Sequence, residues 1–176
     1  MTSSHFTGGT IFCDAASGFV HVAHQIGRTA NETVQAMIEF ERSASKVGVM
    51  VQAYHLDNGT YKSHEFLKEI MSKGQGIKMS SVSAHHQNGA AKNAIKIVVT
   101  KAQTMILHAA LCWPNMTKKT LWPLALSHAA YLYNCTPSQQ TGIAPIEVWS
   151  QAKSDHHALR SLHPWGCPIY ILDPKL

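Results

Sequence analysis

Asp14 and Asp57 are the carboxylates set where chemistry could use them. Asp14 closes the strand-like run Thr10–Asp14. A carboxylate at a strand end can face a cleft, although a lone one is more often a turn residue. Asp57 heads Asp57-Asn58-Gly59, which on its own signals a type I′ hairpin. Residues 61–73 read as helical, so this turn can instead join a strand to a helix. The basic residues have a pattern of their own. All ten acids lie at or before Glu69 or at or after Glu147, and residues 70–146 hold Lys73, Lys78, Lys92, Lys96, Lys101, Lys118 and Lys119. Such a stretch is either a solvated lysine surface or a face that tracks phosphates, and charge alone leaves both open. Lys92 and Lys96 are four apart in the longest helical pattern and share a face near its start.

The elements that must position these residues follow from periodicity. Thr10–Asp14 and Phe19–Ala23 read as strands joined by Ser17-Gly18, hence a hairpin. Ile26 to Arg28 reads as the start of a third strand. Thr29 or Asn31 can cap a helix to about Val47, with Val34, Met37, Ile38, Glu41 and Ala44 spaced helically. Gly48 ends it. Val49–Tyr54 is β-branched and apolar, which suits a buried central strand. Ser63 caps a helix from His64 to Lys73, stopped by Gly74, and Ile77–Met79 is a short strand. Asn88 suits the N-cap of the long helix, whose apolar face runs through Ala91, Ala94, Ile95, Val98, Ala102, Met105, Ile106 and Ala109. A further helix spans Lys118 to about Asn134, with Pro123 tolerated in its first turn. A short helix near Ile146–Trp149 and a strand near Ile169–Leu172 complete the chain. A hairpin followed by strand–helix alternation predicts an α/β fold, a mixed central sheet flanked by helices. One core domain over 1–136, with 137–176 as its extension, is expected.

Composition bounds the function class. The 176 residues are 45% hydrophobic and 14% charged, which describes a globular chain. The formal charge of +5 gives only weak support for a polyanion partner. Cys13, Cys112, Cys135 and Cys167 include no Cys-x-x-Cys pair, which argues against a zinc ribbon or a disulfide framework. Free, mostly buried thiols are expected. The histidine pairs His21/His24, His85/His86 and His156/His157 read as surface or core polar residues. No apolar run reads as long enough to span a bilayer and no signal peptide opens the chain, so no membrane partner is expected and the location is intracellular.

Three ordered motifs carry a resemblance. Phe12-Cys13-Asp14 followed by Ser17-Gly18, Tyr54-His55-Leu56-Asp57-Asn58-Gly59, and His85-His86-Gln87-Asn88-Gly89 before a helix resemble the catalytic core of integrases from copia-type LTR retrotransposons. Leu107–Pro114, Leu121–Ala125, Tyr133-Asn134, Thr141–Pro145 and His163–Pro168 extend the similarity across nearly the whole chain; these look structural, with tryptophans and leucines for the core. The resemblance implies a ribonuclease H-like fold, DNA as partner (element ends and target), a possible homo-oligomer and a nuclear location. It also implies Mg2+ or Mn2+ held by Asp14, Asp57 and a helix-borne Glu. Two such ions assist strand transfer by activating the attacking hydroxyl and holding the leaving oxygen. Aligned on the third motif, that Glu falls at position 92, where this sequence has Lys. At an effective dielectric near 20, two unit charges ~4 Å apart interact by roughly 4 kcal/mol, so a cation here opposes the metal as well as removing a ligand. The neighbouring family arginine is Asn93, and Lys96 matches a basic position that contacts the DNA end.

The resemblance therefore implies nucleic-acid binding through Lys92, Lys96 and Lys101, with strand transfer lost. The family's zinc module and polymerase have no counterpart here, so the chain reads as a piece of a polyprotein. The alternative is a domesticated, non-catalytic DNA-binding or oligomerisation module. A ribonuclease H is a third reading, opposed by the helix that follows the third motif and by Glu32 as its only candidate helix acid.

Overall fold

The structure, a computed structural model, describes residues 5–27, 29–56, 63–79, 89–115, 117–139, 141–154 and 157–169. The element order is β1 (Gly8–Cys13), β2 (Val20–Gln25), α1 (Ala30–Ser45), β3 (Ala53–Leu56), α2 (His64–Ser72), β4 (Gly76–Met79), α3 (Gly89–Cys112), α4 (Trp122–Cys135), α5 (Pro145–Ser150) and α6 (His157–Arg160). A single 3-10 turn over Lys119–Leu121 leads into α4.

β1 and β2 pair antiparallel in the register Cys13↔Val20 to Gly8↔Gln25. The turn needs a left-handed residue, and Gly18 supplies it at φ +72°. The third strand expected at Ile26 to Arg28 is absent at Ile26 and Gly27, and Arg28 lies outside the described residues. Ile26 and Gly27 bend the chain directly into α1, because Glu32 gathers that corner. Its carboxylate accepts the Gly27 N–H at 2.9 Å and closes a capping box with Thr29. The Gly27 bond, foremost, lowers the Glu32 pKa against its residual burial.

β3 and β4 pair parallel, with α2 as the crossover between them. Among the described residues there are thus two two-stranded sheets and not the single mixed sheet expected. The strand expected at Val49–Tyr54 begins only at Ala53. Val49 and Val51 still pack on the core, so their apolar character reports burial without strand pairing. The strand expected near Ile169 is absent at Ile169 itself, and the rest of it lies outside the described residues.

The hairpin separates two cores, as period-2 alternation requires. Phe12 and Ala23 face α1, α2 and β3, where Met37, Phe40, Tyr54, Phe66 and Ile70 are buried. Trp149 of α5 closes this core, stacking on Phe19 with centroids 4.8 Å apart and on Phe40 at 5.8 Å. Ile11, Cys13, Val20 and Val22 face the other way, toward α3 and α4. That second core is lined by Ala94, Ala102, Ala125, Ala129 and Ala130, small residues that let two helices approach closely.

α1 is tied to β3 by a polar cluster. Glu41 accepts hydrogen bonds from the Tyr54 hydroxyl at 2.9 Å, Lys73 Nζ at 2.7 Å and Gln75 Nε2 at 2.8 Å. Burial opposes the Glu41 charge, but these three donors outweigh it and lower its pKa. Tyr54 is pushed the opposite way by burial and by the Glu41 charge. The cluster fixes the strand that leads to position 57.

Candidate functional site

Asp14 follows the last residue of β1. Its Oδ2 accepts the Ser17 N–H at 2.7 Å and the Ser17 hydroxyl at 2.6 Å. The Gly18 N–H reaches the Asp14 carbonyl at 2.9 Å, and Asp14 N–H reaches the Phe19 carbonyl at 2.8 Å. One carboxylate oxygen therefore serves the turn, the ordinary role of such an aspartate. The other, Oδ1, takes no hydrogen bond from the described residues.

Asp57 lies outside the described residues, as does the His85–Asn88 motif. The strand before Asp57 is described. Tyr54 meets Phe12 edge to face at 6.3 Å, so the residues just ahead of both aspartates share one core.

α3 begins at Gly89 and places Lys92 in its first turn, with no acid there. Lys92 and Lys96 are both exposed. Lys101, two and a half turns on from Lys92 and so on the other side of α3, rests its Nζ 6.0 Å from the centre of the Tyr133 ring, at the outer range of a cation–π contact. Burial, then the nearby Cys13, raises the Tyr133 pKa. Lys101 is thus half-anchored by α4, whereas Lys96 extends toward water.

Asn134 was legible only as part of a resembling dipeptide, and it clamps β2, the strand paired with the one that leads to Asp14. Its Oδ1 accepts the Val20 N–H and its Nδ2 donates to the Val20 carbonyl, both at 2.8 Å. Cys13↔Val20 is consequently a non-hydrogen-bonded pair, and Val20 turns both backbone groups away from β1. The amide occupies the position a third strand would fill. Its signal in the sequence is the row Leu126, Ala130, Asn134, spaced by four, which puts a polar residue on a buried face where it must find partners.

The described residues do not by themselves assemble the oxygen donors that a pair of hard divalent ions needs. Among the described residues no three His, Cys, Asp or Glu side chains gather as a metal site. Of the implied triad, Asp14 spends one oxygen on its turn. Lys92, in the first turn of α3, offers no ligand oxygen.

No protein-family model matches the sequence. Solved structures do. The HTLV-2 integrase catalytic core domain in complex with magnesium is 20% identical, with TM-score 0.54, over 82% of this chain and 95% of that one. The BIV integrase catalytic core domain is 15% identical, with TM-score 0.58, over 85% and 95%. The simian T-cell lymphotropic virus intasome chain, solved with the PP2A regulatory subunit B56 gamma, is 19% identical, with TM-score 0.60. This chain covers 59% of that one, with 97% of its own length matched. The fold is that of a retroviral integrase catalytic core. Integrase cores are ribonuclease H-like, and in this chain the free edge of the β1–β2 hairpin is closed by Asn134.

Two expectations about side chains also change. Cys112 is exposed and not buried. Leu107, Leu111 and Leu124, expected in the core, are exposed as well. α3 is, moreover, long and apolar enough by length and composition to cross a membrane, contrary to the sequence reading. In this fold Ala94, Val98 and Ala102 of α3 are buried in the core it builds with α4, and Ala109 is buried against Gly166.

Proposed function

We propose that this chain is a nucleic-acid-binding domain with an integrase-core fold, descended from a copia-type retrotransposon integrase, that has lost metal-dependent strand transfer. The observation that carries the reading is Lys92 in the first turn of α3, the position where the resemblance puts the third carboxylate. Two neighbours support the family context: the HTLV-2 core was solved with magnesium, and the simian protein within an intasome. In this reading Asp14 and Asp57 are the surviving acids, and Lys92, Lys96 and Lys101 contact phosphates. Work on DNA ends and target implies a nuclear location, and the HTLV-2 core's dimeric and trimeric forms support self-association.

Calorimetry with Mg2+ and Mn2+ tests the metal half. The unmodified chain is expected to bind weakly, Lys92→Glu more tightly, and Asp57→Asn no better than the unmodified chain. Equal affinity in all three would show that these residues do not form one metal site. Robust strand transfer by the unmodified chain, abolished by Asp57→Asn, would overturn the assignment of position 92.

A further inference from the structure

Where α5 meets the end of α1 the fold leaves a cleft that the reading above does not use. It measures about 340 Å³, within the roughly 300–1,000 Å³ of small-molecule sites. Ser43 of α1 and Val47 just beyond that helix form one wall. Phe19, Ile146 and Trp149 supply apolar surface, and Lys153 and Ser154 stand on the opposite wall. No residue of α3 lines the cleft, so it is separate from the lysines of that helix.

The wall after α5 is held in place. Gln151 ends the helix at φ +52°, the one non-glycine residue at positive φ among the described residues. Glycine, or sometimes asparagine, is usual at such a helix end. The left-handed turn reverses the chain, and Glu147 then fixes it by accepting the Ser154 N–H at 3.0 Å. The same carboxylate accepts the Ala144 N–H at 3.1 Å. Glu147 is therefore engaged with backbone, and no carboxylate lines the cleft.

The polar groups that do line it ask for acceptors. Trp149 is 7% exposed, yet its indole N–H has no hydrogen-bond partner among the described residues and is not sealed from solvent. That group can only donate, as can the Lys153 ammonium. The hydroxyls of Ser43 and Ser154 are also without a partner among the described residues. Ser150 differs, since its hydroxyl already donates to the Ile146 carbonyl at 2.7 Å. A fitting ligand thus brings an apolar body, acceptor atoms and a negative charge.

We propose that this cleft binds a small organic acid. Its ring or chain lies against Phe19, Val47, Ile146 and Trp149, and its carboxylate is held by Lys153 with hydrogen bonds from the unused donors. The inference does not rest on strand transfer or on DNA binding.

The test titrates 2-naphthoate into the full chain by calorimetry. Saturable one-to-one binding is expected. Methyl 2-naphthoate, which keeps the rings and loses the charge, should bind about tenfold more weakly, the loss of one charge-assisted contact. Lys153→Ala, at an exposed position, should weaken the acid by about the same factor and leave the ester unchanged. Val47 is 43% exposed, so Val47→Trp should fill the cleft without disturbing the core and abolish binding of both. Among the four tryptophan N–H signals in a 1H–15N spectrum, that of Trp149, identified by its loss in Trp149→Phe, should move on binding. No saturable binding at the solubility limit of the acid, equal affinity for acid and ester, or binding unchanged in Lys153→Ala or Val47→Trp would each overturn the proposal.

Discussion

Asn134 makes the largest single-residue prediction. Replacing it by Ala strands the buried N–H and C=O of Val20 together. An unsatisfied buried polar group costs about 1–3 kcal/mol, so Asn134→Ala should lower the unfolding free energy by about 3 kcal/mol, read from the urea midpoint. Glu41 predicts a pH dependence. Its folded pKa is lowered because the bonds from Lys73, Gln75 and Tyr54 outweigh its burial. The carboxylate then contributes stability that is complete above its ordinary value of 4.5 and is lost as pH falls through the lowered folded value. Glu41→Gln should be less stable at neutral pH and should flatten the acid limb of a stability-versus-pH curve. An acid limb unchanged in the variant would count against the Glu41 cluster as its source. Neither residue announced its role by motif. Glu41 sat in a helical spacing otherwise made of apolar residues, and its partners are 13 to 34 positions away in the chain.

At the scale of elements, what was legible divides by range. α1, α2 and the buried row of α3 follow from local caps and the 3.6-residue period, and these formed within a few residues of expectation. Thr29 with Glu32 and Ser63 with the Phe66 N–H are local devices, visible in any sequence. The strands were harder. Val49 and Val51 have strand-like side chains, but pairing depends on which backbone lies alongside, and residue type does not encode that. The third strand failed for a similar reason: Glu32 pulls Gly27 and Thr29 into a corner before Ile26 can extend. Leu107 and Leu111 misled because apolar type predicts burial only one way. At the candidate site, Asp14 and its turn were readable from Asp-x-x-Ser-Gly, whereas the clamp on β2, the strand paired with β1, came from a helix 114 residues after Val20. α5 supplies a test of how the extension belongs to the core. Trp149 stacks on Phe19 and Phe40, so Trp149→Ala should cost about 3–5 kcal/mol, measured by thermal or urea unfolding. A change below 1 kcal/mol would show that residues 137–176 ride on a core complete without them.

Across the whole molecule, the lysines of α3 lie on a chain of net charge +5, and their effect on DNA is best read from salt. Each neutralised phosphate contributes about −0.9 to the slope of log K against log salt. A duplex without specific sequence should bind weakly, and Lys96→Ala should make that slope shallower by about 1, measured by fluorescence anisotropy at several salt concentrations. An identical slope would take Lys96 off the interface. The hairpin has a different whole-chain consequence, one of timing. Val20 waits for an amide that synthesis delivers 114 residues later. Until α4 docks, the outer edge of β2 is an open template, its backbone groups available to any neighbouring strand. The danger period of this chain is therefore its own emergence, when an N-terminal hairpin has formed and its guard has not. A fragment ending at residue 121 should self-associate into β-rich aggregates under conditions where the full chain stays dispersed, a difference visible by sedimentation and dye binding. Supplying the α4 sequence as a separate peptide should slow that aggregation, and should do so less with Asn134 replaced by Ala.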